Sequence, residues 1–174
     1  VPAMPMEFEL RRLQIDDAQS LAENADNINI WNNLRDILPH PYSVEDGRKF
    51  IETVLKKGLP TTNFAIAVDK KAVGCIGVVV QEDVQRISAE MGYWIGENYW
   101  GKGIMSLAIK QMTDYVFANF EVVKIYAMPF DFNIASQKVL QKAGFEREAI
   151  LKKAAIKNGE IVDLHYYSVI KNDN

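Results

Sequence analysis

A chain of 174 residues is long enough for one well-buried core and short for two domains of usual size. Its 48% hydrophobic and 25% charged residues exclude a disordered or fibrous composition, and a formal charge of −3 leaves no basic field to hold a nucleic-acid backbone. The single cysteine, Cys75, excludes an intramolecular disulfide, and with only His40 and His165 beside it a closed zinc site of the usual kind is not expected.

No apolar run approaches the ~20 residues that span a bilayer. The opening "VPAMPMEFEL" lacks the charged start and continuous apolar core of a secretory signal, so a cytoplasmic, membrane-free setting is expected. Residues 1–5 are expected to be disordered or an added or processed end, with one domain over residues 6–172.

Phe8 and Leu10 alternate with charge and then give way to a polar segment after Asp16 and Asp17, which predicts a strand followed by an N-capped helix. In "HPYSVEDGRKFIETVLKKG", Ser43 stands three before Asp46, and Phe50, Ile51, Val54 and Leu55 recur at helical spacing ahead of Gly58. Capping box, periodicity and stop signal agree on a second helix. "TNFAIAVD", "KAVGCIGVVVQ" and "ISAEMGYWIG", separated by short charged turns, predict a three-strand meander.

Beyond them Ile104, Ala108, Met112, Tyr115 and Val116 predict a helix to about Asn119. "EVVKIYAMPF" predicts a strand, and "NIASQKVLQKAGF" a short helix capped by Asn133 and stopped at Gly144. Asn158-Gly159, between two β-capable runs, is a hairpin signal. On the last strand Asp163, His165 and Tyr167 share one face and Val162, Leu164, Tyr166 and Ile170 the other; the first set fits an acceptor side or cross-strand packing equally well. The resulting order, β-α-α-β-β-β-α-β-α-β-β, implies an α+β (mixed α/β) sheet covered by helices.

The stretch "YWGKGIMSLAIK", Tyr99 to Lys110, joins a strand ending near Gly96 to a helix. Unpaired amides of a first helical turn and the positive helix end make an anion site there. Gly101 and Gly103 would let a phosphate approach the main chain, and Lys102 would add charge. The same glycines fit a plain tight turn equally well. Neither the Walker spacing nor the three-glycine dinucleotide fingerprint is present.

"YWIGENYWGKGIMSLAIKQMTDYVF" followed by "NIASQKVLQKAGFERE" resembles the GNAT acyltransferase superfamily, and most closely its ribosomal-protein N-terminal acetyltransferases, over almost the whole chain. The resemblance implies a strongly twisted, mostly antiparallel sheet of about seven strands flanked by about four helices. In the superfamily a Gln/Arg-x-x-Gly-x-Gly/Ala loop holds the pyrophosphate of acetyl-CoA by its amides. Trp100 stands at the first position here, Gly103 at the fourth and Met105, a departure from the usual small residue, at the sixth.

By that resemblance Gly101, Lys102, Gly103, Ile104, Met105 and Ser106 serve the pyrophosphate, and main-chain groups of Trp94, Ile95 and Gly96 serve the pantetheine arm and the thioester. Asn133 would cap its helix and meet pantetheine amides, with Lys142 near the nucleotide phosphates. Glu90 is the candidate general base, or else a solvated or salt-bridged strand carboxylate. Leu140 stands where many relatives carry a tyrosine, which leaves Ser136 to hydrogen-bond the leaving sulfur, or merely to cap the first turn.

The implied activity is acetyl-CoA-dependent N-acetylation of a primary amine by direct transfer in a ternary complex, without a metal. A protein N-terminal α-amine is the first expectation; a polyamine or antibiotic amine, or a non-catalytic acyl-CoA sensor, is the alternative. Trp31, Asn33, Arg35, Tyr42 and Phe130 could shape the acceptor groove or lie in the core. A homodimer through an exposed final strand is left open, and no partner nucleic acid or membrane is implied.

Overall fold

The computed structural model describes residue 4 and residues 6–173. The expectation for residues 1–5 falls outside the described residues, apart from Met4, which is exposed. Seven strands form one mixed sheet in the order β1-β2-β3-β4-β5-β7-β6. The chain divides into two compact units, Val1–Gly77 with Tyr93–Ala108, and Val78–Gly92 with Ile109–Asn174.

In the first unit β1 (Glu9–Arg11) pairs antiparallel with β2 (Asn63–Val68), which pairs antiparallel with the start of β3 (Lys71–Val80). A buried Asp17 opens the first helix, α1 (Ala18–Ala25), where it accepts two hydrogen bonds from the Arg11 guanidinium, at 2.9 and 2.7 Å, and one from the Gln14 amide. Burial acts to raise its pKa, but these hydrogen bonds outweigh it and hold the carboxyl below the usual range.

The predicted capping box is present on α3 (Val44–Lys56), where Ser43 and Asp46 cap each other's backbone amides. The buried face of that helix, Ile51 and Val54, joins Leu13, Ala18, Leu21, Ala65, Ala72 and Cys75 in one apolar cluster, with Phe50 and Trp94 packed against it. Burial pushes the Cys75 thiol up, so it stays protonated and unreactive.

Among the described residues there are five helices, in keeping with the about four expected. The extra one, α2 (Ile28–Trp31), is a single turn whose N-cap, Asn27, accepts from the Asn29 amide at 2.8 Å. Four residues are too few to show a helical period, so only the cap could have announced it.

In the second unit the main part of α4 (Ile104–Asn119) buries Ile109, Met112 and Val116, and α5 (Ile134–Lys142) buries Leu140. The hairpin of β6 (Glu146–Lys157) and β7 (Glu160–Ile170) turns at Asn158 and Gly159, both at positive φ, as a primed two-residue turn requires. β5 (Lys124–Ala127) runs antiparallel to β7 and parallel to β4 (Ser88–Ile95). The final strand is therefore interior and β6 forms the sheet edge, which corrects the idea of an exposed final strand.

Candidate active site

The predicted loop lies in the first unit, between the end of β4 and α4. The Gly96 amide donates to the Val73 carbonyl at 2.8 Å, which anchors the strand end to β3. Trp100, at the first position of the loop motif, donates its indole N–H to the Ile95 carbonyl at 2.9 Å. That bond staples the turn from Ile95 to Trp100 shut. On the far side the Lys102 carbonyl accepts from the Met6 amide at 3.2 Å, and Asn29 of α2 donates to Glu97 at 2.6 Å.

Gly101 and Gly103 have φ of +70° and +81°, a region that L side chains enter at a cost. A Cβ built on Gly101 would meet no atom within 4 Å, so its main chain is open. Gly101, Lys102 and Gly103 are exposed, and Met105 and Ser106 half-buried. Ile104 is 1% exposed, so its side chain belongs to the core and only its main chain can serve a ligand. This arrangement, an open glycine main chain running into the start of a long helix, fits a pyrophosphate.

One residue supporting this loop escaped sequence reading, and so did the role of a second. Asn24 of α1 lies over Gly96: a Cβ there would stand 2.1 Å from Asn24 Oδ1. Trp100 was placed in the motif but its hydrogen bond was not foreseen. The Asn24 contact is tertiary, and the Trp100 bond, though it spans only five residues, follows no capping or turn pattern.

The remaining candidates lie in the second unit. Glu90 is half-buried on β4, in register with Tyr126 of β5, and the parallel pairing of these strands extends from Ser88↔Lys124 to Glu90↔Tyr126. Asn133 Oδ1 accepts from the Ser136 amide at 3.2 Å, so the asparagine caps α5 and holds Ser136 in its first turn. Ser136 is half-buried. Lys142 is exposed in the last turn of α5, where a cation complements the helix dipole.

Of the set Asp163, His165 and Tyr167, two members are engaged in packing and pairing. Tyr167 is 1% exposed and donates to Gln137 Oε1 of α5 at 3.1 Å, while Asp163 accepts from the Lys153 amide across the hairpin. Phe130 and Tyr42 are buried as well, so the core reading holds for both. Trp31 is anchored by its indole N–H to the Leu38 carbonyl at 3.1 Å.

Residues 7–146 match the acetyltransferase (GNAT) domain family, and the chain belongs to that family. An uncharacterized N-acetyltransferase, p20, of Bacillus licheniformis is 27% identical over 170 residues, covering 94% of this chain and 93% of that one. A ribosomal-protein-serine acetyltransferase of Escherichia coli is 28% identical over 130 residues, 74% of this chain and 72% of its own. Among solved structures, a ribosomal-protein-S5-alanine acetyltransferase from Vibrio fischeri superposes with a TM-score of 0.82 at 25% identity, covering 98% of each chain. The protein is thus a GNAT N-acetyltransferase that uses acetyl-CoA and acts on an amine. Among the described residues no His, Cys, Asp and Glu group is arranged to hold a metal, and no helix is long and apolar enough to cross a membrane.

Proposed function

We propose that the enzyme acetylates the α-amine of a protein or peptide N-terminus by direct transfer from acetyl-CoA in a ternary complex, in the cytoplasm, with residues 6–172 acting as one catalytic domain. The observation that carries this reading is the open main chain of the Gly101–Gly103 loop at the start of α4. Relatives that act on ribosomal proteins support the choice of acceptor.

Acetyl-CoA supplies an acetyl group activated as a thioester. Main-chain amides from Gly101 to Ser106, with Lys102, hold its phosphates, and Trp94, Ile95 and Gly96 lend main-chain groups to the pantetheine arm. Side chains contribute little to that second role: Trp94 packs into the apolar cluster, and Gly96 has none. Asn133 fixes the first turn of α5, and the Ser136 hydroxyl donates a hydrogen bond to the departing sulfur. Serine is too weak an acid to release its proton at neutral pH, so stabilisation of the developing thiolate is its whole contribution. Glu90 takes the proton of the acceptor ammonium, because only the neutral amine attacks a carbonyl.

The test is calorimetric titration with acetyl-CoA, CoA and dephosphorylated pantetheine. Thiol release is then measured with hexapeptides bearing N-terminal alanine or serine, and with spermidine. Phosphate-dependent binding with peptide turnover supports the reading. Preference for spermidine moves the acceptor to small amines; binding without turnover on any amine makes the chain a sensor.

A further inference from the structure

The chain carries ten glycines, and backbone conformation or crowding accounts for nine of them. Five sit at positive φ, where an L side chain would be strained. Four more, Gly47, Gly74, Gly77 and Gly96, are crowded, since a Cβ on any of them would stand 3.0 Å or less from a neighbouring atom. Gly92 meets neither condition. It lies inside β4 without a positive φ, and a Cβ built on it would meet nothing within 4 Å.

Glycine weakens a strand interior, because it loses more backbone freedom on folding than any other residue and offers no side chain to pack. Where neither the path of the chain nor a neighbour demands it, the remaining reason for a bare position is another molecule approaching the main chain. β4 shows which side that molecule takes. Ala89 and Met91 point into the core at 0% and 3% exposure, whereas on the other side Ser88 and Glu90 are half-buried and Gly92 is exposed. The strand therefore opens toward Gly92 on the face that carries Glu90.

Gly92 also follows the point at which β4 parts from β5. Their parallel pairing runs from Ser88↔Lys124 to Glu90↔Tyr126, and β4 continues to Ile95. The cofactor arm is proposed to use main-chain groups of β4, and such groups point sideways, in the plane of the sheet. Side-chain positions stand perpendicular to that plane. What passes over Gly92 is therefore the group that arrives from the sheet face. Glu90, proposed to take the acceptor's proton, stands on that face two residues earlier, about 6.5 Å away along the strand.

We propose that Gly92 is a specificity-determining residue: its missing side chain clears the face of β4, so that the chain carrying the acceptor amine lies against the strand and presents its nitrogen beside Glu90. The acceptor is then one with a body flanking its amine, as a peptide N-terminus has, and a side chain at position 92 would stand where that body lies. This inference rests on the acetyl-transfer reading above.

Gly92→Ala and Gly92→Val test it, because a glycine kept for the fold and a glycine kept for a substrate respond with opposite signs. The room around the Cβ and the strand preference of valine predict that both variants fold, with Tm equal to wild type or raised by about 1–4 °C. With the N-terminal-alanine hexapeptide, kcat/KM should fall at least about tenfold in Gly92→Val and less in Gly92→Ala, while the acetyl-CoA Kd stays within about twofold. Should valine lower Tm, alanine carries the comparison, and a lower Tm in alanine as well makes the glycine structural and overturns the proposal. An unchanged peptide kcat/KM in folded variants overturns it too. Weakened acetyl-CoA binding would put the cofactor over Gly92 and overturn the acceptor role while leaving the transferase reading intact. A wild type that binds acetyl-CoA and does not acetylate the hexapeptide overturns the peptide reading and the role of Gly92 with it.

Discussion

Replacing Gly96 by alanine tests whether the end of β4 is shaped by its neighbour or by its own backbone. Its φ of −52° and ψ of 141° are ordinary for alanine, so no backbone penalty arises. The added methyl would instead stand 2.1 Å from Asn24 Oδ1, 2.9 Å from Cγ and 3.2 Å from Cβ. Asn24 must then swing away and give up its 2.9 Å hydrogen bond to the Ser20 carbonyl, or β4 must shift off Val73. Overpacking of this kind costs about 1–3 kcal/mol, and for a chain of this length each kcal/mol lowers Tm by roughly 2–4 °C.

Asn24→Ala alone removes one partly buried hydrogen bond, worth about 1 kcal/mol. In the double variant the new methyl faces only a Cβ at 3.2 Å, a contact relieved by a few tenths of an ångström. The pair should therefore be non-additive by about 1–2 kcal/mol, with the double variant more stable than Gly96→Ala. Urea unfolding of all four proteins measures the coupling, and acetyl-CoA titration should show the same order of affinity. A double variant as unstable as the two single changes summed would refute the steric account.

Asp17→Asn should lower stability by about 2 kcal/mol, because it breaks the Arg11 pair at a nearly buried carboxylate. The folded pKa of Asp17 is depressed, so its contribution is complete above the unfolded value near ~3.9 and is lost as pH falls through the lower folded value. Unfolding midpoints of wild type and variant should therefore converge in acid. Ser136→Ala should cut kcat at least about tenfold with little change in acetyl-CoA KM, as loss of one donor to a developing anion predicts; a kcat within about twofold of wild type removes the residue from the mechanism. Glu90→Gln should lower kcat/KM by about a hundredfold or more, and an unaltered kcat/KM dismisses it as the base.

Where a signal is local, it was legible. Ser43 with Asp46, Asn133 with Gly144, and the Asn158-Gly159 turn each mark their element ends, since capping and turn chemistry involve residues a few positions apart. The helix expected from Ile104 to about Asn119 ends at Asn119. Strand neighbours were not legible in the same way. Alternation on the last strand separates Tyr166 from Tyr167, but which face meets α5 depends on β7 lying between β5 and β6, and a hairpin motif allows either strand to be inside. For Asp163, His165 and Tyr167 an acceptor side and packing were consequently equally open, and helix packing claims Tyr167. The stacking of Tyr126 on Tyr166 is a consequence of that same register.

The glycines of this region are glycines for different reasons, and the difference separates support from function. Gly96 is crowded at an ordinary backbone conformation, so its requirement comes from Asn24 and the framework beneath it. Gly101 is uncrowded at φ +70°, so its requirement comes from the path of the chain alone. A tight turn and a ligand site are therefore not competing explanations for the second case: the left-handed residues that turn the chain into α4 are also what leave its main chain bare. Because Trp100, Met6 and Asn29 hold the loop from the strand end, the N-terminal segment and α2, that bare main chain is preorganised. Little ordering entropy would remain to oppose the pyrophosphate proposed to bind there.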